Sequence, residues 1–367
     1  MKIIDIANIN TEKIESSLLT RNTYISTENM LSNCGGVEVA SSIPTGKVTS
    51  FCSDDTLISN IRPYFKKVWY ARFNGGCSND VICVRTKSET CLPAYLYYAL
   101  CTDKFIDTFS ASSKGTKMPR GDKNALLSYE IPDRTIAEQQ HIVDILGSID
   151  DSIENNEKII EALEEKMLLE YDHLITSTAL AESEMQEIFD ISIGKTPPRK
   201  ESHWFTENSE DVKWLSISDM GKAKVFTFDS SEKITAEGIK KYNVKIVPEN
   251  TVLLSFKLTI GKVAITGCEM ATNEAIAHFV TDDNTIMEYL YCYLKRYNFD
   301  TLGNTSSIAT AVNSKTIKAM KFKYPSKEAI SEFHRIAEPI IKKIKHLLIT
   351  NAKLNELKQL YLKKFFG

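Results

Sequence analysis

The feature that most constrains the fold of this chain is an internal repeat with a constant offset of 195 residues. The segment TLISNIRPYFKKVWYARFNGGCSNDVICVRT, residues 56–86, aligns without a gap on TVLLSFKLTIGKVAITGCEMATNEAIAHFVT, residues 251–281. Further along, YLYYAL at Tyr95 matches YLYCYL at Tyr289 at an offset of 194, and the segments at Pro132 and Pro325 match at 193. A period of this length is too long for a solenoid, so it predicts two copies of one domain.

Each copy has the same predicted order of elements. Three runs rich in β-branched and aromatic residues predict strands: LISNI, KVWYARF and VICVRT in the first copy, and VLLSF, KVAIT and AIAHFV in the second. A helix follows, with Pro93 in the first turn of one copy and Asp283 or Thr285 as the cap of the other. A polar loop and a last predicted strand, LLSYEIP or AMKFKYP, then lead through a proline into a long helix.

The two long helices carry the heptad pattern of a coiled coil. The positions that recur every seven residues are Leu146, Ile153, Ile160, Met167 and Leu174 in the first helix, and Ile340, Leu347, Leu354 and Tyr361 in the second. Asn156 and Asn351 interrupt the companion seams, which also contain Ile142, Ile149 and Leu163, or Ile344 and Phe365. Two interpretations remain open for the asparagines: a polar pair that fixes the register, or two exposed amides at frayed seams.

The net charge of −3 conceals two segments of opposite sign. Residues 133–184 include 14 acidic and 3 basic residues, whereas residues 327–367 include 9 basic and 4 acidic ones. This contrast predicts that the two helices pair antiparallel within the chain. The excess of acidic residues on the first helix is either a docking face for a partner or a solvated face, and it comprises Glu154, Glu157, Glu161, Glu164 and Glu165.

Several classes of protein are disfavoured by composition. No run approaches the roughly 18 apolar residues that span a bilayer, and the start of the sequence lacks the apolar core of a signal peptide, so we expect a cytoplasmic protein without membrane contact. The eight cysteines never form a CxxC pair, which favours free thiols in a reducing compartment over zinc ligands.

The sequence also offers little for catalysis. The six histidines are scattered singly, and the phosphate-binding loop GxxxxGK[ST], the GxSxG elbow and the Asn-Pro-Pro-aromatic box are all missing. Pro132-Asp133 followed by Glu164-Glu165-Lys166 superficially matches the PD...ExK pattern of metal-dependent nucleases. That chemistry needs the acids and the lysine to converge from a sheet around a metal ion, and here the triplet falls inside a heptad helix. We therefore expect no catalytic residue and no metal site in this chain.

The order of domain, proline, long heptad helix, second domain and second long helix resembles the DNA specificity subunit of type I restriction-modification systems. The matching segments are IPDRTIAEQQHIVDILGSIDDSIENNEKIIEAL from Ile131, IFDISIGKTPPR from Ile188, and WLSISDM at Trp214. Two features depart from the family pattern. The second copy has SEFHRI in place of EQQHI, and the first copy has no counterpart of GKTPPR, so we expect its N-terminal strand to be truncated or differently arranged.

The resemblance implies a mixed α+β fold, with two tandem duplicated target-recognition domains separated by a pair of long antiparallel coiled-coil helices. The expected bounds are 1–134 for the first domain, 135–182 for the central helix, 183–326 for the second domain and 327–367 for the C-terminal helix.

The function that the resemblance implies is non-catalytic. Each domain would recognise one half of a bipartite site in double-stranded DNA, while the helices set the spacer and dock two methyltransferase subunits. Restriction or translocase subunits would join through the complex. S-adenosylmethionine would be bound by the methyltransferase, so no cofactor is expected in this chain.

The expected DNA contacts are basic and hydroxyl side chains on turns and loops, because affinity needs phosphate contacts and specificity needs side chains that reach base edges. In the first domain they are Arg62, Lys66 and Lys67 in the duplicated turn, and Ser112, Ser113, Lys114, Lys117, Arg120 and Lys123 in the polar loop. In the second domain they are Lys195, Arg199, Lys200, Ser216, Ser218, Lys257, Lys262, Thr305, Ser306 and Ser307. Each has a plain alternative as a solvated lysine or a serine that caps a turn.

A second class of function fits the same pattern: a scaffold of two α/β modules on a coiled-coil arm that does not bind DNA. Salt-dependent retention on duplex DNA distinguishes the two, because counterions are released only when phosphates are neutralised.

Overall fold

The computed structural model describes residues 1–87, 89–113, 118–302 and 312–367, which form two compact units. Unit 1 comprises residues 1–154 and 352–367, and unit 2 comprises residues 155–351. Residues 352–367 therefore follow unit 2 in the sequence but belong to unit 1.

Unit 1 is built on two small sheets. Its strands are β1 (Ala7–Ile9), β2 (Lys13–Glu15), β3 (Tyr24–Ile25), β4 (Lys47–Phe51), β5 (Thr56–Ser59), β6 (Val68–Tyr70), β7 (Gly75–Cys77) and β8 (Val81–Thr86). One sheet has the order β1-β8-β5-β6 and the other the order β2-β4-β7-β3. Central β5 is antiparallel to both of its neighbours, with Leu57 opposite Trp69 on one side and Cys83 on the other. The three strands predicted in the first copy are thus confirmed.

Short helices cover the first sheet of unit 1. They are α1 (Ile3–Ile6), α2 (Pro93–Leu100), α3 (Asp103–Ala111) and α4 (Lys123–Ser128). Helix α2 begins at Pro93 as predicted, since proline lacks the N–H that a first turn leaves unpaired. The strand predicted at LLSYEIP is wrong. The Asp122 carboxylate accepts the N–H of Asn124 and starts α4 over that segment, and Glu130 forms only an isolated bridge with Lys2.

Unit 2 repeats the plan with more strands. They are β9 (Ala181–Glu184), β10 (Asp190–Ile193), β11 (Phe205–Thr206), β12 (Val212–Leu215), β13 (Phe226–Thr227), β14 (Glu232–Ile234), β15 (Ile246–Val247), β16 (Val252–Ser255), β17 (Val263–Thr266), β18 (Met270–Thr272), β19 (Ile276–Val280) and β20 (Lys321–Tyr324). The sheets have the orders β10-β19-β16-β17-β13, β11-β14-β12-β18-β15 and β20-β9. The strands predicted at VLLSF, KVAIT, AIAHFV and AMKFKYP are confirmed as β16, β17, β19 and β20.

The shorter helices of unit 2 are α6 (Met185–Ile188), α7 (Ile217–Lys222), α8 (Ala236–Tyr242), α9 (Met287–Arg296) and α10 (Ser314–Lys318). The cap predicted for α9 is wrong, because its N-cap is Ile286, whose side chain makes no capping hydrogen bond. The Asp283 carboxylate instead accepts the N–H of Thr285 in the preceding turn, at 2.9 Å.

The N-terminal strand of unit 1 was expected to be truncated or differently arranged; it is one residue shorter than its counterpart in unit 2 but has the same arrangement. β1 pairs antiparallel with β8 as β10 pairs with β19, with Ile9 opposite Val84 and Ile191 opposite Phe279. Phe279 is the repeat counterpart of Val84, so Ile9 corresponds to Ile191 at an offset of 182. The different offset explains why the 195-residue repeat did not reveal this strand.

Two long helices, α5 (Ile136–Ser177) and α11 (Lys327–Phe366), contribute to both units. In unit 1, Lys358 pairs with Asp150 at 2.6 Å, and Arg134, just before α5, donates to the Phe365 carbonyl at 3.1 Å. In unit 2, Asn156 donates to Asn351 at 2.8 Å, and the rings of Tyr171 and Phe333 pack edge to face. In each unit the residue numbers of the two helices run in opposite directions, which confirms the antiparallel pairing.

The seam between the helices is mainly apolar. In unit 1, Ile142 and Leu146 join a buried cluster with Leu362 and Phe366. In unit 2 the corresponding cluster includes Ile160, Met167, Ile340, Ile344 and Leu347. Of the recurring heptad positions, Leu146, Ile160, Met167, Ile340 and Leu347 are buried as predicted, whereas Ile153, Leu174, Leu354 and Tyr361 are half-buried.

The charge contrast is used only in part between the two long helices, where Lys358 of α11 pairs with Asp150 of α5. Glu164 accepts from the Tyr291 hydroxyl at 2.7 Å and pairs with Lys295 at 2.8 Å. Asp172 pairs with Arg296 at 2.8 Å. These partners belong to α9 and not to α11, so much of the acidity of α5 attaches the helix to the globular part of its own unit.

The asparagine pair makes the first testable prediction. Replacing Asn156 or Asn351 alone with leucine should lower the free energy of unfolding by about 1–3 kcal/mol, because the remaining amide loses a partner in a largely apolar seam. The double variant N156L/N351L should lose less than the sum of the two single effects, since both polar groups are then replaced together. Urea unfolding followed by circular dichroism measures all three, and strictly additive effects would contradict a register-fixing pair.

Candidate nucleic-acid interface

The turn between β5 and β6 and the polar loop after α3 lie together in unit 1. The Arg62 N–H donates to the Pro119 carbonyl at 2.8 Å, and Ile61 forms an isolated bridge with Arg120. Arg62 and Arg120 are both exposed, although Arg120 pairs with Asp80 at 2.8 Å. Two segments proposed separately from the sequence thus form one surface.

Two of the predicted cations in this turn are occupied inside unit 1. Lys66 is buried, and its ammonium pairs with Asp103 at 2.6 Å, next to the start of α3. Lys67 is half-buried and donates to the Thr27 carbonyl at 2.6 Å, and burial lowers the pKa of its ammonium. Both side chains fasten the turn to its surroundings, so the structure gives Lys66 and Lys67 a structural role, and their contact with DNA stays a prediction.

The serines of the polar loop close the end of α3. The Ser112 hydroxyl donates to the Phe109 carbonyl at 2.7 Å and accepts the Asp122 N–H at 3.2 Å. Ser113 also donates to Phe109, at 3.4 Å. Lys123 is exposed at the first position of α4. Lys114 and Lys117 lie outside the described residues.

The basic entry segment of unit 2, residues 195–200, also contains both exposed cations and a cation with an internal partner. Lys195 and Lys200 are exposed. The Arg199 guanidinium lies 4.0 Å from the ring centroid of Phe205 and 4.8 Å from that of Trp214, and it pairs with Glu232 at 2.7 Å. Arg199 therefore covers the aromatic core of the β11–β14 sheet, and its charge already has a partner.

Ser216 acts as a helix cap. Its hydroxyl accepts the Asp219 N–H at 3.1 Å while the Asp219 carboxylate accepts from Ser216, which is a capping box at the start of α7. Burial opposes ionisation of Asp219, but hydrogen bonds from Ser231 and Ser216 outweigh it and lower the pKa of the carboxyl group. The capping interpretation is thus correct for Ser216, whereas Ser218 is exposed on α7.

The turn between β16 and β17 exposes all of its central side chains. Lys257, Leu258, Thr259, Ile260 and Lys262 are exposed. Its base adjoins the entry segment, because the Phe256 N–H donates to Ala275 and the Lys195 N–H donates to Thr272, both at 2.9 Å. Thr305, Ser306 and Ser307 lie outside the described residues.

Both turns also expose apolar residues, which were not predicted from the sequence. Tyr64 and Phe65 are exposed in unit 1, and Leu258 and Ile260 are exposed in unit 2. The repeat alignment already places Phe65 opposite Ile260. That correspondence was the available signal, but apolar residues beside a strand are usually assigned to the core.

His278 is fully buried at the centre of unit 2. Its Nδ1 lies 3.0 Å from the Ser192 hydroxyl and its Nε2 lies 2.6 Å from the Thr272 hydroxyl. Burial, with a smaller contribution from the Lys245 charge, lowers the pKa of His278 to about 4. Both ring nitrogens are engaged in a closed core, so the arrangement is structural.

A cleft of about 530 Å³ in unit 2 is lined by residues of α9 and α11, among others. The Oε2 atom of the buried Glu288 lies 2.9 Å from His334 Nδ1, within hydrogen-bond distance. Burial raises the pKa of Glu288. Glu338 and Lys342 pair at 2.6 Å along its wall. These internal pairs make the cleft part of the packing between α9 and α11.

In the part of the chain that the structure describes, no group of three or more His, Cys, Asp or Glu side chains is arranged to hold a metal ion. Among the same residues, no helix is both long and apolar enough to cross a bilayer. All eight cysteines are free thiols.

Comparison with known proteins identifies the family. The model of the type I restriction modification DNA specificity domain matches residues 1–165 and again residues 180–359. This chain belongs to that family. The two matches cover both copies of the repeat, and the mixed α+β fold with two sheet-containing units and two long helices is confirmed.

Individual relatives agree with this assignment. The HindI specificity subunit of Haemophilus influenzae is 24% identical over an alignment of 399 positions. The alignment covers 85% of this chain and 86% of the relative. The MjaIX specificity subunit of Methanocaldococcus jannaschii is 27% identical over 180 residues, covering 47% of this chain and 39% of the relative. A crystal structure of the type I S subunit from M. genitalium has a TM-score of 0.60 at 19% identity and covers 100% of this chain and 95% of that chain, which shows the shared fold.

Membership of the specificity family makes this chain a non-catalytic component of a type I system, associated with recognition of a DNA sequence. The nuclease-like triplet supports the same conclusion, because Glu164 lies in α5 and its carboxylate is held by Tyr291 and Lys295.

The pH dependence of the specificity subunit provides the second prediction. Unfolded His278 takes up a proton near its ordinary pKa of 6.5, whereas the folded protein keeps it neutral down to about pH 4. Stability is therefore complete above pH 6.5 and should fall by up to about 3 kcal/mol as the pH drops to 4.

The test compares melting temperatures between pH 7 and pH 4.5. H278Q should be less stable at pH 7 but should lose less stability on acidification than the wild type. The control H346Q removes an exposed histidine and should follow the wild-type curve. Identical pH dependence in wild type and H278Q would show that His278 is not the titrating group.

Proposed function

We propose that this chain is the sequence-recognising subunit of a type I system, in which each unit recognises one half of a bipartite site in double-stranded DNA. The observation that carries the proposal is the duplication: the same fold occurs twice, and the family model matches each copy. Two similar binding units in one chain suit a site with two parts.

The proposed phosphate contacts are the predicted cations that remain exposed. They are Arg62, Arg120 and Lys123 in unit 1, and Lys195, Lys200, Lys257 and Lys262 in unit 2. Ser218 is a further candidate for contact with a base edge or a phosphate. Lys114, Lys117, Thr305, Ser306 and Ser307 remain candidates on the strength of the sequence alone.

The proposed domain bounds are 1–134 and 183–326, with helices at 135–182 and 327–367.

The test of the core proposal uses the full chain, purified with the subunits that copurify from its own cells. A random duplex library should yield one bipartite sequence, and affinity should fall steeply with salt as counterions are released. Enrichment of no sequence and a flat salt dependence would favour the alternative scaffold that does not bind DNA.

The helices are the proposed ruler between the two half-sites. Helix α5 is unbroken over 42 residues, about 60 Å at 1.5 Å per residue. Asn156 and Asn351 lie in the companion seams of the two helices and bond to each other across the antiparallel pair. This antiparallel pairing of the two repeated helices supports half-sites recognised in opposite orientations.

The third prediction tests the ruler. One heptad inserted after Glu154 and one between Asn351 and Ala352 lengthens both helices at the boundary of the units by two turns, about 10 Å, and keeps the seam in register. The non-specific spacer should lengthen by about three base pairs while both half-sites stay the same.

Mapping of methylated sites made by the assembled complex measures the spacer. The control is a seven-residue insertion after Ser209, in an exposed loop of unit 2, which should leave the spacer unchanged. An unchanged spacer in the heptad variant would contradict the ruler.

The helices are also the proposed docking surface for two methyltransferase subunits, which would bind S-adenosylmethionine and through which restriction or translocase subunits would join. The acidic face of α5 is a weaker candidate than expected, since Glu157 pairs with Lys224 at 2.6 Å and Glu164 is also occupied. Exposed apolar side chains on both helices support docking better, and they are Ile159, Leu169, Ile349, Leu357 and Leu360.

The fourth prediction concerns this surface. L357E/L360E places two charges on exposed positions of α11 and should reduce copurification of the methyltransferase subunit at least tenfold, while the chain remains folded. L18E, at another exposed leucine outside the long helices, is the matched control and should copurify normally. Full copurification of L357E/L360E would exclude this part of α11 from the interface.

A further inference from the structure

The turns between β5 and β6 (residues 60–67, tip 1) and between β16 and β17 (residues 256–262, tip 2) present apolar side chains to solvent in both units. Tyr64 is 54% exposed and Phe65 is 40% exposed in tip 1, while Leu258 is 90% exposed and Ile260 is 45% exposed in tip 2. A single exposed apolar residue is ordinary. Two at the same place in each of two repeats, with Phe65 aligned on Ile260, form a recurrent feature of the fold.

The backbone of both tips contains left-handed residues next to the apolar side chains, and Leu258 is itself left-handed. Lys66 has a φ of 54° where its repeat counterpart Gly261 has a φ of 87°, so the left-handed turn is kept even though one copy has no glycine there. Arg62 and Leu258 are also left-handed, with φ values of 50° and 63°. The strain of a left-handed residue other than glycine persists where the surroundings over-determine it, and it is concentrated at functional sites.

Each tip is braced from inside its unit. In tip 1, the Phe65 carbonyl accepts the Asn33 N–H at 3.0 Å and the Lys66 carbonyl accepts the Cys34 N–H at 2.8 Å. In tip 2, the Gly261 N–H donates to the Ser255 carbonyl at 2.9 Å, and Phe299 packs against Gly261 so closely that a Cβ there would clash. The apolar side chains therefore project from rigid supports and not from loose loops.

The charges around the tips indicate a polyanion. Residues 60–67 and 256–262 include no acidic residue, and the exposed cations beside the apolar groups are Arg62, Lys257 and Lys262. Lys66 is turned inward to Asp103. An apolar point with a basic rim suits duplex DNA, in which cations meet phosphates while apolar side chains meet thymine methyl groups or insert at a base step.

We infer that the apolar side chains of tip 1 and tip 2, and not the neighbouring cations, contact the base pairs of the two half-sites, tip 1 in one and tip 2 in the other. The inference rests on the proposed function and deepens it by naming specificity-determining residues. The cations beside them provide affinity without sequence preference.

The experiment compares three variants of the full chain, each with its copurifying subunits, on random and selected duplexes. L258N/I260S removes the apolar groups of tip 2, and asparagine tolerates the left-handed φ at position 258. Y64S/F65S does the same for tip 1. K257Q/K262Q is the matched control that removes only charge. Thermal unfolding checks that all three remain folded.

The expected results separate base contact from phosphate contact. L258N/I260S should bind the selected duplex about 10- to 100-fold more weakly with an unchanged slope of log K against log salt, and should relax the preferred sequence in one half-site only. Y64S/F65S should relax the other half-site. K257Q/K262Q should lower the salt slope by about two and weaken binding equally on selected and scrambled duplexes.

Three results would overturn the inference. Wild-type affinity and sequence preference in both tip variants would show that the tips do not touch bases. Loss of the copurifying subunits with unchanged DNA preference would make the tips a protein-binding surface. A wild-type chain that enriches no sequence would overturn the proposed function, and this inference with it, whereas the first two results leave the proposed function intact.

Discussion

The apolar seam between α5 and α11 is the constraint on which both units depend. In unit 1, Ile142 and Leu146 of α5 share a core with Leu362 and Phe366 of α11. In unit 2, Met167 lies in the same cluster as Ile340 and Ile344. Burying one such side chain contributes about 1.5–3 kcal/mol, so either unit without its α11 segment would lose several times that amount. Unit 1 is discontinuous in sequence because it includes residues 352–367, and each long helix contributes to both cores.

Polar groups set the register that apolar contacts leave loose. An amide pair joins Asn156 to Asn351 in unit 2. In unit 1, burial alone would lower the pKa of Lys358, but the Asp150 carboxylate 2.6 Å away raises it overall, and Tyr98 also donates to Asp150. A shift of either helix by one turn would separate these partners and leave an unpaired charge in a buried position. The seam thus has one preferred alignment in each unit.

Most of the strands and helices that show a local sequence pattern were predicted correctly. The role of a side chain could not be predicted where it depends on a partner that is distant in the sequence. The runs of β-branched and aromatic residues that predicted β5 and β16, and the heptads that predicted α5, are properties of short windows. The partners of Lys66 and Arg199 are Asp103 and Glu232, which no local pattern connects to them, so both residues looked like free cations. Ser216 was recoverable, because Asp219 three residues later completes a recognisable capping box. The exposure of Leu258 was not predicted, because it depends on a left-handed backbone conformation. Glycine or asparagine at that position would have indicated such a conformation, but leucine does not.

Unit 1 combines segments from both ends of the sequence, so its folding can be completed only late in synthesis. Synthesis proceeds through residues 1–154, then all of unit 2, and only afterwards through residues 352–367, whose Phe366 ring packs 5.0 Å from that of Tyr95. During synthesis, the C-terminal segment therefore cannot pack on Ile142, Leu146 and Tyr95 until about 200 further residues have been added, which takes roughly 10–40 s at about 5–20 residues per second. Unit 2 can close its core first. Unit 2 is therefore completed before unit 1, although its synthesis starts later. Until unit 1 is complete, the apolar face of α5 at Ile142 and Leu146 is the surface at risk of misassociation.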